Sequence, residues 1–286
     1  MLCFPNARIT LGLQVKAKRS DGFHDIETVM LPVGMHDALE IVPAINNQTK
    51  FIATGIPIPG EPHENLIMKA IKLIQDEIQI GFREKTDTLE PLHIYLRKGI
   101  PAGSGLAGGS ADGTFMLRML NDYYKLNITK DRLEKLALKM GSDCPFFLYN
   151  KAILVRGRGE IFETVFTSDL SGFHLIIIVP PFRIKTAEAY SLITPEPRRI
   201  PIKDLITLPL SHWQENLTND FEYVLFKTYP YLEKIKDRLR EHGAVYASLS
   251  GSGSALYGFF KNADILPPLQ KDFEDCHVGH YQILET

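Results

Sequence analysis

Residues 103–110, GSGLAGGS, are where this chain could do chemistry. Closely spaced glycines have no Cβ to obstruct them, so successive backbone N–H groups can turn inward around an anion. The apolar residues that follow, with Phe115, Met116, Met119 and Leu120 on one side, predict a helix beginning near Ser110, whose positive N-terminal end adds to that pull. The plain alternative is a flexible turn with Ser110 as a helix N-cap. Five glycines within GIPAGSGLAGG are more than a cap requires, which favours phosphate binding.

Two glycine patterns are tested by their neighbours. Gly103, Gly105 and Gly108 satisfy G-x-G-x-x-G, but a dinucleotide fingerprint needs a strand after its helix and an acidic residue at the end of that strand. Here the sequence TKDRLEKLALKMG predicts a second helix, so that reading fails. Gly103, Gly108 and Ser110 also fit the phosphate loop G-x-x-x-x-G-K-[ST], except that Gly109 stands where the lysine belongs. Positive charge must then come from outside the loop. Lys98, at the end of the preceding strand, is one source, although a single lysine there is ordinarily a solvated one.

Two further stretches carry reactive types without declaring a use. In FPNARITLGL, residues 4–13, the apolar Ala7, Ile9, Leu11 and Leu13 alternate, which puts Arg8, Thr10 and Gly12 on the opposite face of a strand. Taken alone, that is a solvated strand face. Asp143 follows Gly141 and Ser142 after the second helix, and taken alone it is a turn residue.

These residues need a frame. At 286 residues the chain is long enough to divide into two domains, and 44% hydrophobic with 23% charged residues is ordinary globular composition. Thirty-four acidic against 32 basic side chains leave no electrostatic footprint for a nucleic acid, so a small ligand is expected. MLCFPNAR lacks the apolar core of a secretory signal, and LIIIVPPF is too short to cross a bilayer, so no membrane association is expected. Three scattered cysteines fit neither a disulfide framework nor zinc spacing, and a reduced, cytoplasmic protein is expected.

The first third alternates as strands: residues 7–18, FHDIETVMLPV as a hairpin partner, DALEIVPA, KFIAT and, after a helix NLIMKAIKLIQDEI, LHIYLRK. From Ala152 the pattern changes. AILVRGRGE and FHLIIIVP predict strands, TAEAYSLI a short helix, and residues 195–213 an irregular proline-rich connection. The end predicts helix YLEKIKDRLREHG, strands VYASLS and ALYGFF, helix ADILPPLQKDFED interrupted by its prolines, and strand HVGHYQIL. With the strand at 174–180 this is a β-α-β-β-α-β order. A boundary near residue 155 is expected, giving domains 1–155 and 156–286.

At this point three motifs in order resemble those of the GHMP kinases: FPNARITLGL the N-terminal motif, PAGSGLAGGSAD the phosphate-binding motif, and SLSGSGSALYGFF the C-terminal glycine motif. The resemblance implies an α+β fold, with an N-terminal ATP-binding domain, a C-terminal split-βαβ (ferredoxin-like) domain and a cleft between them. RSDGFHDIETV, GSDCPFFL, HENLIMKA and NDFE resemble segments of the branch that, in non-mevalonate isoprenoid precursor synthesis, phosphorylates a hydroxyl of methylerythritol carried on cytidine diphosphate.

By that resemblance Asp143 is the base that accepts the hydroxyl proton. Pro101, Ala102, Gly103, Ser104, Gly105, Leu106, Ala107, Gly108, Gly109, Ser110 and Ala111 cradle the ATP triphosphate, with Asn65 and Lys98 near the nucleotide. Phe23 and His24 grip cytosine, and Thr186 and Asp220 line the substrate side. ATP chemistry implies Mg2+, for which Ser110 is a candidate ligand and helix capping its equal alternative. Oligomeric state is not readable.

The chain departs from the family motif at three places. Phe23 replaces the usual tyrosine, keeping a stacking face and losing a hydroxyl. Arg8 stands at the motif's lysine, where a cation favours the ionised base, and Thr10 at its asparagine, on the substrate side. Arg8 and Thr10 share a strand face and are expected to be a matched pair, the shorter Thr10 making room for the Arg8 fork. The alternatives are another small-molecule kinase of the superfamily and a nucleotide-binding homologue without turnover, which the departures at Arg8 and Thr10 support.

Overall fold

A computed structural model describes residues 1–81, 89–165, 167, 169–196 and 200–284. They form two compact units, each discontinuous in sequence. The first comprises Met1–Ala7, Met35–Ala102 and Ala107–Asn150; the second comprises Arg8–Gly34, Gly103–Leu106 and Lys151–Thr286.

In the first unit the alternation of LHIYLRK buries Leu92, Ile94 and Leu96 and leaves Tyr95 and Arg97 outward. This strand, Leu92–Lys98, sits in a four-stranded sheet of order Leu2–Cys3, Ala38–Pro43, Leu92–Lys98, Lys50–Gly55. Its pairing with Lys50–Gly55 is parallel, and parallel neighbours need a crossover connection, which helix Leu66–Gly81 supplies. Ile67, Ala70, Ile74 and Ile78 recur at helical spacing and face Leu39, Ile41 and Ile94 in one apolar core. Helices Gly108–Tyr123 and Lys130–Met140 add Met116, Leu120, Leu133 and Leu136 to it. Each fully buried Leu or Ile there stabilises the fold by roughly 1.5–3 kcal/mol.

The second unit holds two sheets. The first has the order Asn6–Lys18, His24–His36, Ile153–Gly157, Ile161–Thr164. The second has the order Tyr246–Leu249, Leu256–Phe260, His174–Val179, His277–Tyr281, all antiparallel. That is the strand order of the split-βαβ layout expected from sequence. One face of the second sheet, with Ile176, Ile178, Ala247, Leu249 and Leu256, packs on Leu225, Leu232, Ile235 and Leu239 of helices Asp220–Thr228 and Pro230–Glu241. Among the described residues no helix is long and apolar enough to cross a membrane.

Three local expectations are corrected. The proline-rich stretch after residue 195 contains short helices at Ile202–Leu205, Leu210–His212 and Trp213–Asn216, with Pro201 and Pro209 at the N-caps of the first two. Pro267 and Pro268 open helix Leu266–Asp272 rather than interrupt it, because a first turn does not need their missing N–H groups. The Arg8 and Thr10 face is not solvated: Arg8 is 4% and Thr10 1% exposed. The turn between Leu249 and Leu256 covers it, with Gly251 N donating to Thr10 Oγ1 and Tyr257 Oη to the Thr10 carbonyl.

Candidate functional site

The glycine loop has an alternating backbone. Gly103, Gly105 and Ala107 adopt left-handed conformations, with φ of 68°, 80° and 56°. A left-handed residue at every second position turns successive amides toward one side, the geometry of an anion-binding nest. Ala107 does this without the freedom of glycine, at a cost of roughly 1–3 kcal/mol, so its surroundings hold it there. The helix that follows starts at Gly108, with Ala107 as its N-cap residue. Ser110 therefore lies inside the first turn and is not the cap.

The second unit fastens Gly103–Leu106 by its carbonyls. The Ser104 carbonyl accepts from Ala255 N at 2.8 Å, and the Leu106 carbonyl from Arg8 N at 3.0 Å. The Gly105 carbonyl accepts from Arg8 Nη1 at 2.5 Å and from Ser250 Oγ at 2.8 Å. A Cβ on Gly105 would lie 2.2 Å from the Ser250 carbonyl, so nothing but glycine fits. A Cβ on Gly103 would lie 3.1 Å from Arg183 Cδ, which places the stem of this exposed arginine against the loop.

In the first unit, Ser110 and Asp143 both act on Cys144. Burial pushes the Cys144 thiol up to about 12; a Ser110 hydrogen bond opposes this, the Asp143 charge adds to it, and Thr114 and the Lys69 cation oppose it. Asp143 is half-buried, in the turn between helices Lys130–Met140 and Phe146–Tyr149. Asn65 is half-buried just before helix Leu66–Gly81, where its Oδ1 accepts from Ile67 N at 2.9 Å. Pro101 and Ala102 are half-buried, Gly109 faces open space, and Ala111 is buried.

Lys98 is not the solvated cation its position suggested. It is 3% exposed, its Nζ bonded to Asp37 Oδ2 and, at 2.7 Å, to Asp112 Oδ2. Asp37 Oδ1 accepts from Gly99 N at 2.6 Å and Ile100 N at 2.8 Å, so the group fixes the chain entering the loop. With an acidic group on either side of its ammonium, Lys98 has no net positive charge to spare.

Of the residues expected to line the substrate side, His24 stacks on Tyr190 with ring centroids 4.9 Å apart and planes 24° apart. Burial, and secondarily the Lys18 charge, holds its imidazole below the usual histidine range. Phe23 is exposed, and the Arg158 guanidinium lies 3.8 Å from its ring centroid. Thr186 Oγ1 meets Ser252 Oγ at 3.3 Å, and Asp220 Oδ2 accepts from Val15 N at 2.8 Å.

Within the second unit the structure thus joins Arg8 and Thr10 to the 249–256 turn and Gly103–Leu106, and Phe23 and His24 to Arg158 and Tyr190. Within the first, Ser110 and Asp143 both influence the Cys144 thiol. Arg183, Ser250, Tyr190, Arg158 and Lys69 were missed by sequence reasoning. Arginines and a lysine outside a motif look like solvated charges, and only the surplus glycines near Ser250 hinted at its turn. Among the described residues no three His, Cys, Asp or Glu side chains are grouped to hold a metal ion.

Comparison with known proteins identifies the family. Residues 65–151 match the family described as GHMP kinases N terminal domain, and residues 204–272 match GHMP kinases C terminal. A 4-diphosphocytidyl-2-C-methyl-D-erythritol kinase of Parabacteroides distasonis is 43% identical over 99% of this chain and 100% of its own. One of Bacteroides fragilis is 41% identical over 96% of each. A crystal structure of 4-(cytidine 5'-diphospho)-2C-methyl-D-erythritol kinase superposes with a TM-score of 0.76 at 25% identity, covering 98% of this chain and 99% of that one. With relatives this similar along nearly its whole length, the chain belongs to the GHMP kinases, in the family of 4-diphosphocytidyl-2-C-methyl-D-erythritol kinases.

Proposed function

We propose that this protein transfers the γ-phosphoryl group of ATP to the 2-hydroxyl of 4-diphosphocytidyl-2-C-methyl-D-erythritol, a step of non-mevalonate isoprenoid precursor synthesis. The observation that carries this reading is the alternating left-handed backbone at Gly103, Gly105 and Ala107, leading into a helix N-terminus at Gly108. Such a loop binds phosphate oxygens through main-chain N–H groups and needs no lysine at Gly109.

Phosphoryl transfer asks the protein for position, charge neutralisation and one proton acceptor. The nest positions the triphosphate, and Arg183, against Gly103, adds a positive charge the loop lacks. Asp143 accepts the proton of the attacking hydroxyl. Magnesium fits as an ion carried in by ATP, given that the loop offers amides and hydroxyls instead of a carboxylate cluster; Ser110 would be its protein ligand, and it would neutralise charge on the phosphates. Phe23 and His24 take cytosine by stacking and edge hydrogen bonds, with Thr186 and Asp220 on the same substrate side.

Release of ADP from ATP and magnesium, measured with this substrate and separately with mevalonate, homoserine and galactose, tests the reading. ADP is expected with the cytidine-linked substrate. Turnover of one of the other alcohols alone would assign a different kinase, and nucleotide binding with no ADP from any of them would assign a sensor.

A further inference from the structure

Three successive carbonyls of the glycine loop, those of Ser104, Gly105 and Leu106, are each taken by a donor of the second unit. In a planar trans peptide the C=O of one residue and the N–H of the next point in opposite directions. Fixing the Ser104 carbonyl on Ala255 therefore turns the Gly105 amide away from the 249–256 turn. Fixing the Gly105 carbonyl on Arg8 and Ser250 does the same for the Leu106 amide. Among the described residues neither amide donates to a backbone acceptor.

We propose that Arg8 is a positioning residue for the nucleotide: its guanidinium, together with Ser250, holds the Gly105 carbonyl and so keeps the Leu106 amide aimed at the phosphates. This rests on the nucleotide reading above. Thr10 is its accessory. The Gly251 amide donates to Thr10 Oγ1, and Gly251 in turn lies against the Arg8 fork, a Cβ there falling 3.6 Å from Nη1 and 3.7 Å from Nη2. A guanidinium suits the task, because its several donors in a fixed plane can grip a carbonyl and still face another partner.

The test is equilibrium binding of a non-hydrolysable ATP analogue with magnesium to wild type, Arg8→Met, Arg8→Lys, Ser250→Ala and the Arg8→Met, Ser250→Ala double variant. Thermal melts establish that each is folded. Arg8→Met is expected to weaken binding about 10-fold and Arg8→Lys to recover most of it, since one ammonium can still donate to the carbonyl. The milder Ser250→Ala is expected to weaken binding about threefold. Because both donors serve one atom, the double variant should depart from the product of the single effects. Unchanged affinity in folded Arg8→Met, or single effects that simply multiply, overturns the proposal. Wild type that binds no nucleotide overturns the underlying reading instead.

Discussion

Lys98 Nζ donates to Asp112 Oδ2 at 2.7 Å, with both side chains buried beneath the start of the glycine-loop helix. Asp37 binds the same ammonium, so removing the lysine leaves both acidic groups out of water without their cation. Breaking a buried pair from one side costs about 3–5 kcal/mol. Lys98→Met is expected to lose about that much in urea unfolding, whereas a loss within about 0.5 kcal/mol would place Lys98 among ordinary surface residues.

The same cluster makes stability depend on pH. Burial raises the Asp112 carboxyl well above its ordinary value of 3.8, the Lys98 charge opposing and the Asp37 charge reinforcing the rise. Above 3.8 the unfolded chain has released this proton while the folded chain keeps it, so folding takes up a proton. The contribution is fully present below 3.8 and is lost as pH climbs through the raised folded value. Wild type should therefore lose stability relative to Asp112→Asn as the pH rises above about 4, by at most about 1.4 kcal/mol per pH unit. A constant difference across that range would show that Asp112 is ionised in the folded protein.

Asp143→Asn removes the proposed proton acceptor and keeps its shape. Its kcat is expected to fall about 100- to 10,000-fold, with the affinity for ATP within about threefold of wild type. Pre-steady-state turnover with a separate nucleotide titration distinguishes this from a loop defect, in which affinity falls too.

Phe23 and Arg158 are expected to act on the cytidine end alone. An exposed cation–π contact contributes about 0.5–1 kcal/mol, so Arg158→Ala should raise KM for the cytidine-linked substrate about two- to fivefold and Phe23→Ala more, with KM for ATP unchanged. A rise in KM for ATP in either variant would remove this pair from the substrate side.

Elements whose pattern is local were legible. Ile67, Ala70, Ile74 and Ile78 announce a helix because their spacing is the cause of its burial, and Leu92, Ile94 and Leu96 announce a strand in the same way. The family could be read from three ordered glycine and strand motifs. Partners supplied from far along the chain were not legible. Arg8 meets Gly105 and Thr10 meets Gly251 across 97 and 241 residues, and alternation could tell only that they share a face, not what covers it. The burial of Lys98 is hidden for the same reason, since its partner Asp37 lies 61 positions away. Serine is a usual cap residue, which makes capping an alternative for Ser110, whereas left-handed Ala107 holds that position.

Phosphorus NMR of the reaction with ATP, magnesium and 4-diphosphocytidyl-2-C-methyl-D-erythritol reads the transfer itself. The expected spectrum loses the γ-phosphate of ATP and gains a phosphomonoester on the methylerythritol 2-oxygen, with the cytidine diphosphate linkage intact. A spectrum in which ATP persists, or in which ADP appears with inorganic phosphate and no phosphomonoester, would contradict a loop that delivers phosphate to an alcohol beside Asp143.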